Sequence, residues 1–368
     1  MATAESASPR VATRRLPVSQ ILLWVFGTAI LVAVAVWLIR NAVDSPDRFL
    51  EVTLIGVTNG SIYALVALGY TLVYGIIELI NFAHGDNFML GTFQTNTIVN
   101  EGAFQIPLFP TTFVLGIPLG TAAVASDSGA QRAWTIVMCL FWSMLFCMVI
   151  NVAIERMAYK PLRNQPRLVP LITAIGFSFI LQDVGLVWKG AGPQPLPDIL
   201  PKGDIFTWRA ADYGWNDLLV IAVTVPLLIV LTYLVRRTRS GKAMRATAQD
   251  MDASAMMGIN VDRTISFTFA LGGALAGAAG AIYALYIGTS KFDLGFRLGL
   301  FAFTAAVLGG IGNLTGAVVG GVVLGLIQAY NEGFADARWT TTIIFGVLIL
   351  ILVFRPSGIL GEQVPEGE

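Results

Sequence analysis

The sequence predicts an all-α fold, a polytopic transmembrane helical bundle of about ten spans that includes short or broken helices. Hydrophobic residues occupy 55% of the 368 positions, and charged residues only 12%. A soluble domain has roughly 25% charged residues, about twice this share. The apolar residues gather in runs long enough to cross about 30 Å of hydrocarbon, where a helix satisfies its own backbone hydrogen bonds. Together these observations indicate an integral membrane protein.

Ten apolar runs are the candidate spans, and two of them, late in the chain, are short or broken by glycines. In chain order they are 21–39, 52–77, 79–99, 133–153, 169–188, 217–235, 264–288, 297–310, 312–330 and 338–354. The first run has 19 residues and ends in Arg40. A secretory signal has only about 7–15 apolar residues, so we predict an uncleaved additional span over residues 21–49.

The basic residues predict the orientation, because short cytoplasmic loops are enriched in Lys and Arg. Three clusters stand out, and all three are expected in the cytoplasm: Arg10, Arg14 and Arg15; Arg156, Lys160, Arg163 and Arg167; and Arg236, Arg237, Arg239, Lys242 and Arg245. With ten spans, both termini are cytoplasmic, with tails over 1–20 and 356–368.

Residues 103–125 are apolar but contain Pro107, Pro110 and Pro118. Each proline removes a helix hydrogen bond. If this segment crossed the membrane, the N-terminal basic cluster and the cluster that starts at Arg156 could not both be cytoplasmic. We therefore predict a re-entrant or surface-lying extracytoplasmic segment. The alternative is a kinked span, with another element that fails to cross.

The composition and the missing motifs exclude several functions. The 23 basic residues balance the 23 acidic ones, which argues against electrostatic binding of nucleic acid. His84 is the only histidine, and Cys139 and Cys147 are the only cysteines, too few soft ligands for a zinc site. Lys242 follows Gly241 but precedes Ala243, so the phosphate-binding P-loop is absent. We expect no catalytic residue, metal or cofactor in this chain.

Residues 236–263 form the longest polar stretch on the predicted cytoplasmic side. Within it, Met244 to Met257 predicts a short amphipathic helix, which Gly258 ends. One stripe of that helix carries Met244, Ala248, Met251 and Ala255. Small and sulfur-bearing residues on one face suit docking into a groove of a partner. The alternative is a basic loop on anionic headgroups.

Two further regions could serve packing or a translocation path. Small residues four apart in the late spans predict close helix packing: Gly273 and Gly277, Ala276 and Gly280, Gly316 and Gly320, Gly321 and Gly325. Candidate residues of the path are Asn59 inside a span, Asn81 and His84 in a polar turn at the cytoplasmic boundary, and Gly309 and Gly310 in a glycine break. The break is either a lining of half-helices or a tight turn.

Three segments carry a resemblance that these patterns alone do not give. They are NGSIYALVALGYTLVYGIIELINFAHGDNFMLG from Asn59, GKAMRATAQDMDASAMMGINVDRTISFTFALGGALAGAAG from Gly241, and FAFTAAVLGGIGNLTGAVVGGVVLG from Phe301. In this order they resemble the permease subunits of branched-chain amino acid ABC transporters of the LivH type. The similarity runs from about Leu50 to RPSGILG near the C-terminus, so it identifies residues 50–355 as the permease transmembrane domain.

The resemblance implies a transport subunit without its own ATPase site. Its partners would be a second homologous permease, two ATPase subunits that bind ATP and magnesium, and an extracytoplasmic substrate-binding protein. The cytoplasmic loop would couple to the ATPases through a small set of residues: Arg245, Gln249, Asp250, Ala253, Gly258 and Ile259. The cargo would be a branched-chain amino acid. Related permeases carry urea or short amides, which is an alternative within the same class. A stand-alone channel or secondary carrier is the alternative of another class.

Overall fold

The structure, a computed structural model, describes residues 18–107, 114–118, 129–163, 165–166, 168–201, 203–208, 211–355 and 357–361. Over these residues the α-helices are α1 (Val18–Asp44), α2 (Pro46–Ile77), α3 (Ala83–Glu101), α4 (Gly129–Ile154), α5 (Leu168–Lys189), α6 (Trp215–Arg237), α7 (Arg239–Gln249), α8 (Met251–Met256), α9 (Val261–Ile287), α10 (Leu294–Gly309), α11 (Leu314–Phe334) and α12 (Thr340–Phe354).

The prediction of a polytopic all-α membrane bundle is confirmed. Each of the ten apolar runs coincides with a helix, and among the described residues eight helical segments are long and apolar enough to cross a membrane. α10 is shorter, with 16 residues, and α3 carries many polar residues. The chain divides into two compact units, Met1–Phe49 and Leu50–Glu368. The first unit contains α1, in which Arg40 pairs with Asp44 at 3.4 Å.

The centre of the second unit is α3, whose residues 83–99 are all buried. Its polar side chains find partners inside the protein, as a buried polar group must. Thr95 Oγ1 lies 3.0 Å from Ser143 Oγ on α4, and Asn96 Nδ2 donates to the carbonyl of Pro195. Because every face of α3 touches protein, its polar residues need not meet lipid.

Small residues bring the late helices into backbone contact, as predicted. A Cβ atom at Gly277 of α9 would collide with the Ser143 carbonyl of α4, and one at Gly320 of α11 with the Ala305 carbonyl of α10. A Cβ atom at Gly273 would lie 2.5 Å from the Cys147 carbonyl oxygen. In a bilayer such close approach, rather than a hydrophobic drive, holds helices together.

Three short antiparallel strand pairs connect the helices. They are β1 (Ala103–Pro107) with β2 (Val114–Pro118), β3 (Gln194–Pro195) with β6 (Thr289–Ser290), and β4 (Asp204–Trp208) with β5 (Ala211–Gly214). The predicted re-entrant or surface segment over 103–125 therefore begins as a β-hairpin and not as a kinked helical span. Residues 108–113 and 119–125 of that segment lie outside the described residues.

The described residues of two basic clusters lie at one end of the second unit, which we call the basic end; Arg10, Arg14, Arg15 and Arg167 lie outside the described residues. Arg163, in the α4–α5 connection, contacts Asp262 at the start of α9 at 2.5 Å. Arg236, at the end of α6, donates to Thr315 at the start of α11. The three strand pairs follow or precede the other helix ends and thus belong to the opposite end.

Candidate functional site

The predicted coupling segment is a helical elbow at the basic end, formed by residues 238–260. The prediction of one helix from Met244 to Met257 is wrong, because the chain is extended at Asp250, with φ −158° and ψ 114°. The elbow therefore contains two helices, α7 and α8. Asp250 ends α7 with its backbone N–H and begins α8 with its side chain, whose Oδ1 accepts from Ala253 N at 2.9 Å.

Side-chain caps fix the other joints of the elbow. Thr238 Oγ1 accepts from Gly241 N at the start of α7, and Asn260 Oδ1 accepts from Arg263 N at the start of α9. Gly258 has φ +82° and donates to the Ala255 carbonyl, while Ile259 donates to the Ser254 carbonyl. These two bonds form a Schellman motif, which satisfies the last carbonyls of α8. The path of the elbow is thus determined by hydrogen bonds at each bend.

The two faces of the elbow differ from the predicted stripe. Met244 is buried against the bundle together with Gly241 and Thr247, whereas Ala248 and Ala255 are exposed. The exposed sulfur-bearing residues are instead Met251, Met256 and Met257, the last two with 82% and 83% of their surface free. The stripe fails because the bend at Asp250 breaks the helical repeat on which it was drawn.

The predicted coupling residues lie along the outer side of this elbow. Arg245, Gln249, Asp250 and Gly258 are exposed, and Ala253 and Ile259 are half-buried. Gly258 has open space where a Cβ would stand, so its positive φ and not crowding favours glycine there. The elbow brings all six residues together within two short helices and one turn, and their role in coupling stays a prediction.

An ionic network that the sequence analysis missed joins the start of α9, next to the elbow, to the α4–α5 connection. Glu155 is fully buried, and its Oε1 lies 2.5 Å from Arg163 Nη2. Its other oxygen accepts from Ser266 Oγ at 2.7 Å. Arg163 also pairs with Asp262, as does Lys160 at 2.8 Å. The network holds the first two turns of α9, directly after the elbow, against the α4–α5 connection.

The polar turn begins at the exposed Glu78 and enters the bundle, because Asn81, His84, Asp86 and Asn87 are buried, deeper than the predicted place at the bilayer boundary. His84 fits against Gly69, eight residues or roughly 12 Å from the end of α2. Asn81 donates to Asn151 Oδ1 on α4, and that residue donates to the Phe269 carbonyl on α9. Periodicity could not reveal this, because α3 begins at Ala83, after the chain has already turned inward.

The start of α3 meets the start of α10 at this inner turn. A Cβ atom at Gly85 would lie 2.5 Å from the Gly295 carbonyl oxygen, and one at Gly295 would lie 2.7 Å from Asp86 Cα. Asp86 is fully buried and accepts a hydrogen bond from Ser178 of α5. Two helix N-termini, whose dipoles favour negative charge, thus adjoin one buried acidic side chain.

Gly309 ends α10, and Gly310 begins the tight turn between α10 and α11 that was one of the two readings of the glycine break. Gly310 has φ +104° and Gly312 has φ +93°, both unfavourable for other residues. The C-terminal segment packs on this turn, where Ile359 N donates to the Leu308 carbonyl and Leu360 N to the Gly309 carbonyl. A part of these glycines in a translocation path stays a prediction.

Asn59 is half-buried on α2 and shares a helix face with Tyr63. Tyr63 donates to Gln328 Oε1 of α11 at 2.5 Å, and Gln328 donates to Glu332. Arg297 of α10 lies over the ring of Phe301 at 5.8 Å and forms no ion pair with a described residue. The sequence analysis missed Gln328, Glu332 and Arg297, although an arginine in the apolar run 297–310 was a visible signal of a functional position.

Comparison with known proteins gives the family. Residues 52–353 match the family described as "Branched-chain amino acid transport system / permease component". The chain belongs to this family. The permease protein LivH of the high-affinity branched-chain amino acid transport system of Escherichia coli K12 is 37% identical over 324 residues, which cover 87% of this chain and 97% of LivH. BraD of Pseudomonas aeruginosa PAO1, the permease protein of a system with the same description, is also 37% identical over 324 residues, 87% of this chain and 98% of BraD.

A solved ABC transporter of the metal-chelate type, in an inward-facing conformation, superposes with a TM-score of 0.42 at 15% identity. The superposition covers 82% of this chain and 85% of that one. The family membership rests on the sequence matches. The three segments that carried the family resemblance occupy distinct places in this branched-chain permease: the inner turn before α3, the elbow, and the turn between α10 and α11.

The chemistry of the described part of this permease is that of recognition and packing. Among the described residues, no group of three or more His, Cys, Asp or Glu side chains could hold a metal ion. Cys139 and Cys147 are free and buried, and Cys147 Sγ donates to the Asn87 carbonyl. The exposed part of the candidate site is the capped elbow, while Asn81 and His84 of the polar turn are buried.

Proposed function

We propose that this chain is the permease subunit of an ATP-driven importer of branched-chain amino acids. Family membership supports the transport role, and the printed functions of the relatives support the cargo. The proposal places the protein in the cell membrane with both termini and the basic end in the cytoplasm, as the lysine and arginine distribution favours. A second homologous permease, two ATPase subunits and an extracytoplasmic binding protein would complete the importer.

The observation that carries this proposal is the exposed, capped face of the elbow. Met251, Met256 and Met257 project from a backbone that hydrogen bonds hold at every bend. Methionine adapts to an irregular groove because its side chain is unbranched and polarizable. A short helix with such a face suits insertion into a groove on an ATPase subunit. ATP and magnesium would bind there, on the partner, and not on this chain.

Movement of the elbow would reach the membrane through α9. The ion pairs of Asp262 and the hydrogen bond of Ser266 fix the first turns of α9 to the α4–α5 connection. Beyond them, Gly273 and Gly277 hold α9 in backbone contact with α4. Since packed helices of this kind shift as rigid bodies rather than deform, a displacement at the elbow would tilt α4 and α9 together.

We place the translocation path beside the face of α2 that carries Asn59 and Tyr63. Arg297 and Glu332 lie along it, and Arg297 without an ion pair among the described residues requires water, a substrate or a partner subunit nearby. Asn81 and His84 would act behind this face, since both are buried. Selection among substrates would fall mainly to the soluble binding protein.

The test is co-purification followed by ATP hydrolysis. The chain, extracted in mild detergent, should bring two ATPase polypeptides with it, and substrate-loaded binding protein should stimulate their hydrolysis. Gly258→Trp and Asp250→Lys should abolish the stimulation while the protein still inserts, because the first strains a left-handed residue and the second removes a cap. Gly346→Trp, on α12 with open space where its Cβ would stand, is the matched control and should retain the stimulation.

Two outcomes would contradict the proposal. Normal stimulation in both elbow variants would remove the elbow from coupling. Transport of leucine by the purified chain in liposomes, without nucleotide or partners, would favour a channel or secondary carrier.

The same liposome assay with the complete importer tests the position of the path. Arg297→Gln should lose leucine transport, and Arg338→Gln, at an exposed arginine in the turn before α12, should retain it.

A further inference from the structure

A cleft of about 470 Å³ opens between the end of α6 and the start of α11. Its walls are mostly apolar and come from both helices: Leu228, Ile229, Thr232 and Tyr233 from α6, and Leu314 and Val318 from α11. Ile229 and Tyr233 remain 63% and 64% exposed, so the cleft is open along its length. Its lining residues include neither Asn59 nor any residue of the elbow, although Arg245 of the elbow donates to the Arg236 carbonyl at its edge.

Two arginines form the lip of this cleft at the basic end. Arg236 Nη2 donates to Thr315 Oγ1 at 3.1 Å and thereby connects α6 to α11 at this lip. Arg237 also lines the cleft, is exposed, and makes no ion pair with any residue in the described part of the chain. One arginine is therefore fixed by the protein, and the other is available to an anion.

Nothing acidic opposes these arginines along the cleft walls. The sequence has no Asp or Glu from Leu218 to Gln249, and α11 has none before Glu332. From Leu228 to Arg237 the helix rises roughly 14 Å, about half the hydrocarbon thickness. The cleft thus combines an apolar slot as deep as one leaflet with a positive lip at its surface end.

We propose that this cleft binds one anionic phospholipid. An acyl chain lies in the slot between α6 and α11, and the headgroup phosphate accepts hydrogen bonds from the guanidinium groups of Arg236 and Arg237. Charge complementarity and the one-leaflet depth favour a lipid over a soluble anion, which would leave the apolar slot unfilled. Basic pockets between membrane helices are suited to this chemistry, since arginine binds phosphate in a bidentate way.

The experiment is native mass spectrometry of the full-length protein in detergent with added phosphatidylglycerol or phosphatidylcholine. The wild-type protein should retain one phosphatidylglycerol in preference to phosphatidylcholine. Arg237→Gln should weaken this binding about fivefold and the double variant R236Q/R237Q about thirtyfold, because each basic residue contributes about 1 kcal/mol to anionic lipid binding. The control R239Q/K242Q removes the same charge outside the cleft and should bind as the wild type does.

A second variant tests the slot without a change of charge. Val318→Trp should fill the cleft and reduce phosphatidylglycerol retention, with an unchanged gel-filtration profile and melting temperature. Equal retention of both lipids, full retention in R236Q/R237Q, or an equal loss in R239Q/K242Q would each overturn the proposal. So would complete displacement of the lipid by inorganic phosphate, or a disulfide between two copies carrying Ile229→Cys, which would show a protein in the cleft.

Discussion

Glu155 shows how one buried side chain can hold the start of α9, the helix that follows the elbow. It is fully buried, yet both carboxylate oxygens have partners, Arg163 on one side and Ser266 on the other. A buried charge is tolerated only when it is paired and hydrogen-bonded in this way. The pair also places Arg163 between two acids, because Asp262 contacts its second nitrogen. Removal of Arg163 would leave the buried Glu155 carboxylate without its charged partner.

We expect Glu155→Gln to lower stability by about 1–3 kcal/mol, because the amide keeps the shape but loses the charge-assisted bond to Arg163. Arg156→Gln, at the exposed neighbouring position, is the control and should change stability by less than about 0.5 kcal/mol. The measurement is thermal unfolding of the purified protein in detergent. Equal melting temperatures for the two variants would show that the buried pair contributes nothing.

At the scale of the elements, the elbow has two helices because Asp250 ends one and begins the next. Asp250 can end α7 and start α8 because its short side chain competes for a backbone N–H, as aspartate does at caps. The periodic pattern across this position suggested one helix, since Met244, Ala248, Met251 and Ala255 share a phase only if the repeat continues. A cap inside an apolar repeat is a local signal that outweighs periodicity.

The cap predicts a graded response at position 250. Asp250→Asn keeps an oxygen that can accept from Ala253 N, so it should retain substrate-stimulated ATP hydrolysis. Asp250→Ala lacks the acceptor and should lose about 1 kcal/mol of helix stability and much of the stimulation. Hydrolysis by the assembled importer checks this order. Equal activity of the two variants would mean that the bend does not depend on the cap.

The contact of α4 with α9 makes a prediction at the same scale. Gly277→Ala should destabilise the protein by about 1–3 kcal/mol, because the added methyl group collides with the Ser143 carbonyl and forces the helices apart. Gly346→Ala, with open space at its Cβ, should be neutral or slightly stabilising, since alanine favours helix. Thermal unfolding in detergent distinguishes them, and similar melting temperatures would contradict the packing argument.

The sequence predicted the elements better than their depth in the bundle. Apolar runs located ten helices, because run length alone distinguishes a span from a loop. The same runs did not show that α3 begins inside the bundle, since this depends on the contact of His84 with Gly69 and on the hydrogen bond of Asn81 to Asn151. The network of Glu155, Arg163 and Asp262 was equally invisible, because its members lie as much as 107 positions apart in sequence.

At the scale of the whole molecule, the distribution of basic residues predicts that the basic end faces the cytoplasm. A cysteine introduced at Met257, which is 83% exposed, should react with a membrane-impermeant maleimide only from the cytoplasmic side. A cysteine at Asn100, exposed at the opposite end, should react from the outside. The measurement compares intact spheroplasts with inverted vesicles. Reversed accessibility would show that the elbow faces the exterior, where cytoplasmic ATPases cannot bind it.

This measurement is favoured by the native cysteines, since Cys139 and Cys147 are completely buried and should give little background. Of the candidate site, polarity could predict an exposed segment between α6 and α9, while the coupling role of the six elbow residues, which the resemblance implies, stays a prediction. The sequence could not predict which side chains of the elbow face the bundle and which face outward, because this depends on the angle between α7 and α8. The polar partners of Tyr63 also needed the structure, which alone brings α2, α10 and α11 together.

The segment from Ser357 to Gly361 has a practical consequence for anyone who engineers this chain. Its backbone amides cover the last carbonyls of α10, and Asn313 Nδ2 holds the Leu360 carbonyl at 2.8 Å. Truncation after Phe354 would remove these hydrogen bonds and leave the last carbonyls of α10 without these partners. Fluorescent proteins or affinity tags should therefore be fused beyond Gly361, where they leave the hydrogen bonds of this segment intact.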